Sequence, residues 1–154
     1  MSRRMPSIDE TIAFIKTAHA GQVDASGHDY YLHPMAVMKR LPEAVDLEVK
    51  LAALLHDVLE DTPYTRQSLL DMGYSVRTLT AVELVTQKPG DTRSYPEKIA
   101  AIVASGNRDA IQVKFADMSE NSDPARLALL EPERREHFLR KYSAPLQVLR
   151  AALA

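Results

Sequence analysis

His56-Asp57-Val58-Leu59-Glu60-Asp61 packs four ionisable side chains into six residues, directly after the apolar run Leu51-Ala52-Ala53-Leu54-Leu55. Leu47, Leu51, Leu54, Leu55 and Val58 recur at helical spacing, so the segment reads as a core helix, with Asp46 as its N-cap. On one continuous helix His56 and Glu60 lie a turn apart, and so do Asp57 and Asp61. A histidine–aspartate pair at a helix end is most often a cap or a solvated terminus. Four such groups at the end of a buried helix are different, because ionised side chains there are costly unless something pairs with them. A divalent cation can pair with a histidine and several carboxylates at once, which makes the cluster a candidate metal or catalytic centre.

Two further segments bear on the same chemistry. His19-x-Gly21-Gln22 leads through Gly27 and Tyr30 to His33-Pro34, and Val113-Lys114-x-Ala116-Asp117 leads to Asn121. With His56-Asp57-x-x-Glu60-Asp61 between them, the three blocks resemble the HD-domain metal-dependent phosphohydrolases, and more narrowly the hydrolase domain of RelA/SpoT-type alarmone enzymes. They occur in that family's order and span roughly residues 19 to 121. The resemblance implies His33, His56, Asp57 and Asp117 as metal ligands drawn from three helices. It implies Mn²⁺ as the metal, although two imidazoles and two carboxylates also suit other divalent transition metals. Glu60 and Asp61 would be the acid–base pair, taking the proton of a water whose pKa the metal lowers. Lys114 would give positive charge to phosphates, and Asn121 would contact a ribose or a phosphate.

The implied reaction removes pyrophosphate from the ribose 3′ position of guanosine tetra- or pentaphosphate. Taken singly, His33 could be a helix-start histidine bonded to its own backbone, Asp117 an ordinary helix aspartate, Lys114 a surface lysine and Asn121 a helix-end hydrogen bond. His19 reads as structural, locking the first helix to the next loop, and His28 and His137 as solvent-facing. The chain departs from the family pattern where the family has arginines, at Asp24 and Met118, and it has Asp29 before Tyr30 where the family has proline. Asp24 is expected to face the nucleotide and repel its phosphates. That inversion of charge bears on the base-recognising part of the site and leaves the metal and water machinery alone. The alternatives are therefore an HD phosphohydrolase for another nucleotide or phosphate ester, or a non-catalytic nucleotide-binding module of the same fold. The complete Glu60-Asp61 pair weighs against the latter.

The elements that must carry these residues are helices. Ser7-x-x-Glu10 is a capping box followed by Ile8, Ile12 and Ile15 on one face, so a first helix runs to about His19. Gly21 to Asp29 is a loop, and Pro34 suits the first turn of a short helix ending near Pro42. The helix bearing His56 stops before Pro63. Short helices follow at Thr65 to Met72, closed by Gly73, and around Val76, Leu79, Val82 and Val85; Lys88 to Asp91 is a loop. Ser94-x-Pro96-Glu97 starts the next helix, and Asn107 caps another on which Lys114, Asp117 and Asn121 form one stripe. A last helix carries Phe138, Leu139, Tyr142, Leu146 and Leu149, with Pro145 expected to kink it. No alternating strand pattern or repeat occurs, so the expectation is an all-α single helical bundle of the HD-domain type, one domain over residues 1–154.

Composition agrees with that reading. At 154 residues the chain can bury a real core, with 45% hydrophobic and 26% charged residues. A formal net charge of -2 offers no basic excess for nucleic acid, so the expected partner is a small-molecule nucleotide or phosphate ester met by locally placed cations or a metal. The absence of cysteine excludes disulfides and thiolate metal sites. Arg3 and Arg4 precede no apolar run, and no stretch reaches membrane-spanning length, so the expected setting is the cytoplasm with no membrane partner.

Overall fold

A computed structural model describes residues 4–154. Among them it has ten helices: α1 Ile8–Ala18, α2 Leu32–Arg40, α3 Leu47–Leu55, α4 Val58–Asp61, α5 Arg66–Asp71, α6 Val76–Val85, α7 Tyr95–Ala104, α8 Arg108–Asn121, α9 Pro124–Leu127 and α10 Pro132–Leu153. The all-α expectation holds: among the described residues the only β-type pairing is an isolated bridge between Val23 and Asp29 in the α1–α2 loop.

The predicted starts are made by the residues expected to make them. Ser7 and Glu10 close a capping box on α1, Ser94 and Glu97 close one on α7, and the Asn107 side chain accepts from the Ala110 N–H of α8. Each satisfies N–H groups that a helix start leaves free. Asp46 occupies the N-cap of α3 but its carboxylate does not cap; it accepts from Arg77 of α6 at 2.8 Å instead.

α3 lies at the centre because its last five residues are apolar all round: Leu51, Ala52, Ala53, Leu54 and Leu55 are fully buried. It packs against α1, α2, α6 and α8, while α8 also contacts α2, α6 and α10, and α10 lies against α7. The three sequence blocks are thereby carried to one place by α2, the end of α3 and the middle of α8.

One element differs from expectation in a way that matters. The helix around His56 is not continuous: α3 ends at Leu55, and α4 begins at Val58 after His56 and Asp57. Asp57 is the N-cap of α4, at φ -106°, ψ 0°, the edge of the right-handed helical region. The His56 ring nitrogen Nδ1 lies 2.6 Å from the Ala53 carbonyl oxygen, a local side-chain bond that competes with continuation of the helix.

Candidate metal centre

His33 enters at the second residue of α2, His56 closes α3, and Asp117 projects from α8; all three are buried. One ligand atom from each lies within 4.8 Å of the others. His33 Nε2 is 2.8 Å from Asp117 Oδ1, and His56 Nε2 is 3.5 Å from the same oxygen and 2.9 Å from Asp57 Oδ2. Asp57 is held by the hydroxyl of Tyr30, which donates to its Oδ2. Lys114 Nζ lies 3.1 Å from Asp117 Oδ2, and Asn121 Nδ2 donates to Asp117 Oδ1 at 3.2 Å. The stripe read on α8 is therefore a working unit in which both outer residues bond the central aspartate.

His56 decides what this cluster can hold. A neutral imidazole has one donor and one acceptor nitrogen. Nδ1 must be the donor, since it faces the Ala53 carbonyl, so Nε2 carries the lone pair. That buried Nε2 has no hydrogen-bond partner, although two carboxylates stand near it. A lone pair aimed at carboxylates is repelled unless a proton or a cation stands between them. Burial alone would lower the His56 pKa, but Asp57 and Asp117 outweigh it and hold the ring well above its ordinary value. Asp117 is likewise kept well below the usual carboxylate range: burial opposes this, and the charges of Lys114 and His56 prevail. A histidine whose other nitrogen is fixed by a backbone carbonyl is the arrangement by which proteins orient metal ligands. Two imidazole nitrogens and the carboxylates of Asp57 and Asp117 could hold one divalent transition metal.

Asp57, Glu60 and Asp61 form a second group within 4.8 Å. Glu60 accepts the Gln87 N–H at 2.7 Å, which fixes its carboxylate beside the α6–α7 loop. Burial raises the Glu60 pKa; the Gln87 bond opposes this, and the charges of Asp57 and Asp61 add to the rise. Burial and Asp57 raise Asp61 as well. The Asp61 carbonyl accepts from Gln22 Nε2 at 2.9 Å, and Gln22 Oε1 is 2.9 Å from His19 Nδ1. His19 is buried and ties α1 through Gln22 to α4, as expected of a structural residue, while His28 and His137 are exposed.

Asp24 is a correction. Its side chain is only 5% exposed. Oδ1 accepts from the N–H groups of Ser26 and His28 at 2.8 and 3.0 Å, and Oδ2 lies 3.4 Å from Arg126 Nη2 of α9. The short polar side chain folds its own loop and pairs with a cation, so it is not an open contact for an incoming nucleotide.

A cavity of about 520 Å³ adjoins the cluster, lined by His56, Asp57, Glu60 and Lys114 together with Tyr95, Lys98, Lys141 and Tyr142. Tyr95, Lys98, Lys141 and Tyr142 have no motif spacing that points to them; long-range packing brings them here.

No protein-family model matches the chain. It is 33% identical over 135 residues to the bifunctional (p)ppGpp synthase/hydrolase SpoT of Escherichia coli, covering 82% of this chain and 19% of that protein. It is 37% identical over 121 residues to the guanosine-3′,5′-bis(diphosphate) 3′-pyrophosphohydrolase of Aquifex aeolicus, covering 74% and 17%. A solved structure, of a metazoan SpoT orthologue described as hydrolysing ppGpp, superimposes with a TM-score of 0.79 at 23% identity, over 97% of this chain and 90% of that one. The chain is RelA/SpoT-like, with the HD-type helical fold. It spans about a fifth of the length of the curated relatives it matches. Among the described residues no helix is long and apolar enough to cross a membrane.

Proposed function

We propose that the chain is a divalent-metal-dependent 3′-pyrophosphohydrolase domain, one domain over residues 1–154, acting on guanosine tetra- or pentaphosphate in the cytoplasm. His33, His56, Asp57 and Asp117 would hold the metal, with Mn²⁺ the first choice. The observation that carries this reading is the convergence of α2, the α3–α4 junction and α8 on an orphaned imidazole nitrogen beside the Glu60–Asp61 pair. Its relatives' names and the fold support it.

A bound divalent metal would supply Lewis acidity and lower the pKa of water. The rest falls to the chain. Glu60, fixed by the Gln87 N–H and with its pKa raised by burial, accepts the proton of the attacking water, with Asp61 beside it. Water attacks the phosphorus attached to the ribose 3′ oxygen, the bond between them breaks, and the proton taken up by Glu60 passes to the departing 3′ oxygen as pyrophosphate is released. Lys114, held on Asp117, offsets charge on the phosphate oxygens. Asn121 donates to Asp117 through its nitrogen, leaving its amide oxygen free to accept from a sugar hydroxyl.

One observation favours a second reading. With Asp24 locked onto Arg126, the α1–α2 loop has no cation where the related enzymes place an arginine. Such a site could serve another nucleotide or phosphate ester with the same machinery.

Chromatography of products separates the two. With guanosine tetraphosphate as substrate, intact pyrophosphate should appear with both 5′ phosphates retained. Orthophosphate appearing first, or turnover only of other esters, would favour the second reading. Metal content tests the ligand set: Asp57→Ala, reloaded with manganese beside wild type, should hold far less metal. Equal metal in the two would remove Asp57 from the set.

A further inference from the structure

The cavity next to the metal-ligand cluster is lined by five cationic and four acidic side chains, a small positive excess that the overall charge of -2 does not foretell. Two of its acidic lining residues are already neutralised: Glu83 by Arg66 at 2.7 Å, and Asp91 by Arg93 at 2.7 Å. Lys98 and Lys141 line the same cavity, and among the described residues neither has an ion-pair partner. Lys141 Nζ is 4.7 Å from the Tyr95 ring centre and 5.5 Å from that of Tyr142, and Lys114 Nζ is 5.7 Å from the same Tyr95 ring. Two ammonium groups thus gather around one tyrosine. Burial, with the charges of Lys114 and Lys98, pulls the Lys141 pKa down, as crowding of like charges requires. Mutual repulsion would drive such flexible side chains apart unless something held them. The faces of Tyr95 and Tyr142 hold Lys141 in place.

Of the three lysines, Lys114 already faces the carboxylate end through Asp117, and Tyr95 links it to Lys141. An anion lying along this line would place one phosphorus beside Asp57 and Glu60 and extend a second negative group toward Lys98 and Lys141. Lysine ammonium groups recognise anionic oxygen and not a base. We propose that Lys98 and Lys141, with Lys114, form a subsite for the outer phosphate of a pyrophosphate group, so that the site selects a diphosphate over a monophosphate at the reacting position. This rests on the phosphohydrolase reading above and adds the residues that set substrate class. It also accounts for a site whose α1–α2 loop offers no cation, since recognition then falls on the phosphates.

The experiment is calorimetric titration of the whole manganese-loaded chain with inorganic pyrophosphate and, separately, orthophosphate. It is run on wild type, Lys141→Gln, Lys98→Gln, the double variant and Lys141→Arg. A charge-assisted contact is worth about tenfold in affinity. Pyrophosphate affinity should fall about tenfold in each single variant and further in the double, orthophosphate affinity should change little, and Lys141→Arg should stay near wild type. Steady-state kinetics supply a second readout: KM for guanosine tetraphosphate should rise more than kcat falls. Both lysines reach solvent, so loss of fold does not confuse the result. Unchanged pyrophosphate affinity in the double variant overturns the subsite, even if guanosine tetraphosphate is turned over. Equal losses for pyrophosphate and orthophosphate also overturn it, because they would mean a general charge effect. Lysine-dependent pyrophosphate binding with no hydrolysis of guanosine tetraphosphate would instead uphold the subsite and overturn the proposed substrate.

Discussion

At the scale of single residues, most of the candidate centre could be read from side-chain type and spacing, because a site that holds a metal beside an acid–base pair must draw on particular residues. His56, Asp57, Glu60 and Asp61 fall in one short run, and Lys114, Asp117 and Asn121 in one helical stripe. Tyr30 belongs to the first sequence block, but nothing in its spacing assigns it the role its hydroxyl has, holding Asp57. Asp24 misled for the opposite reason: its charge was legible, but its partner Arg126 lies far along the chain. Glu60 gives the clearest test at this scale. Glu60→Gln keeps the shape, but an amide cannot accept the proton, while the four proposed metal ligands are untouched. Turnover should fall by roughly 10²–10⁴-fold, the range of general base catalysis, with metal content unchanged. A wild-type rate at full metal occupancy would take Glu60 out of the reaction.

At the scale of elements, helix starts were legible because caps are local, and the break between α3 and α4 was not. Periodicity of Leu51, Leu54, Leu55 and Val58 runs straight through it; only the bond from His56 to the Ala53 carbonyl turns the chain. That turn presents Asp57 to Tyr30 and sends Glu60 toward Gln87. The α1–α2 loop is the other element whose geometry rests on one side chain. Asp24→Arg removes two turn bonds and sets an arginine against Arg126, so stability should drop by about 1–3 kcal/mol, the cost of leaving such groups unpaired. KM for guanosine tetraphosphate should not improve. Pairing it with Arg126→Asp should recover part of the loss, which urea unfolding of the four proteins of the cycle measures. Full stability in Asp24→Arg alone would mean that the loop folds without this pair. In α3 itself, Leu54→Ala should cost about 2–5 kcal/mol, since Leu54 is fully buried among α1, α2, α6 and α8; urea unfolding reads this too.

At the scale of the whole molecule, the bundle brings His33, His56 and Asp117 from distant parts of the chain into one buried cluster with the part-buried Asp57 beside it, and folding must bear their proximity. Without a metal, proximity to Asp57 and Asp117 favours a proton on His56, and Lys114 compensates Asp117. A divalent metal would satisfy the orphaned His56 nitrogen and bind both carboxylates, and the unfolded chain, with these residues far apart, cannot bind it comparably. Metal should therefore stabilise the fold by mass action: about 2.7 kcal/mol at a free concentration one hundred times Kd. For a domain of this size, each kcal/mol raises Tm by roughly 2–4 °C, so manganese should raise it by about 5–10 °C and a chelator should reverse the rise. Asp117→Asn removes the charge that joins His33, His56 and Lys114, and should abolish the rise in Tm with metal. Because the same variant also leaves the half-buried Lys114 without its partner, its Tm without metal should fall as well. The decisive quantity is therefore the difference between metal-loaded and metal-free Tm within each protein. Lys141→Gln, which lies in the cavity but outside the ligand cluster, should keep that difference intact. If Asp117→Asn retained the full metal-dependent rise, the metal would have to bind elsewhere, and the convergence of α2, α3 and α8 would be a buried ion-pair network and not a metal centre.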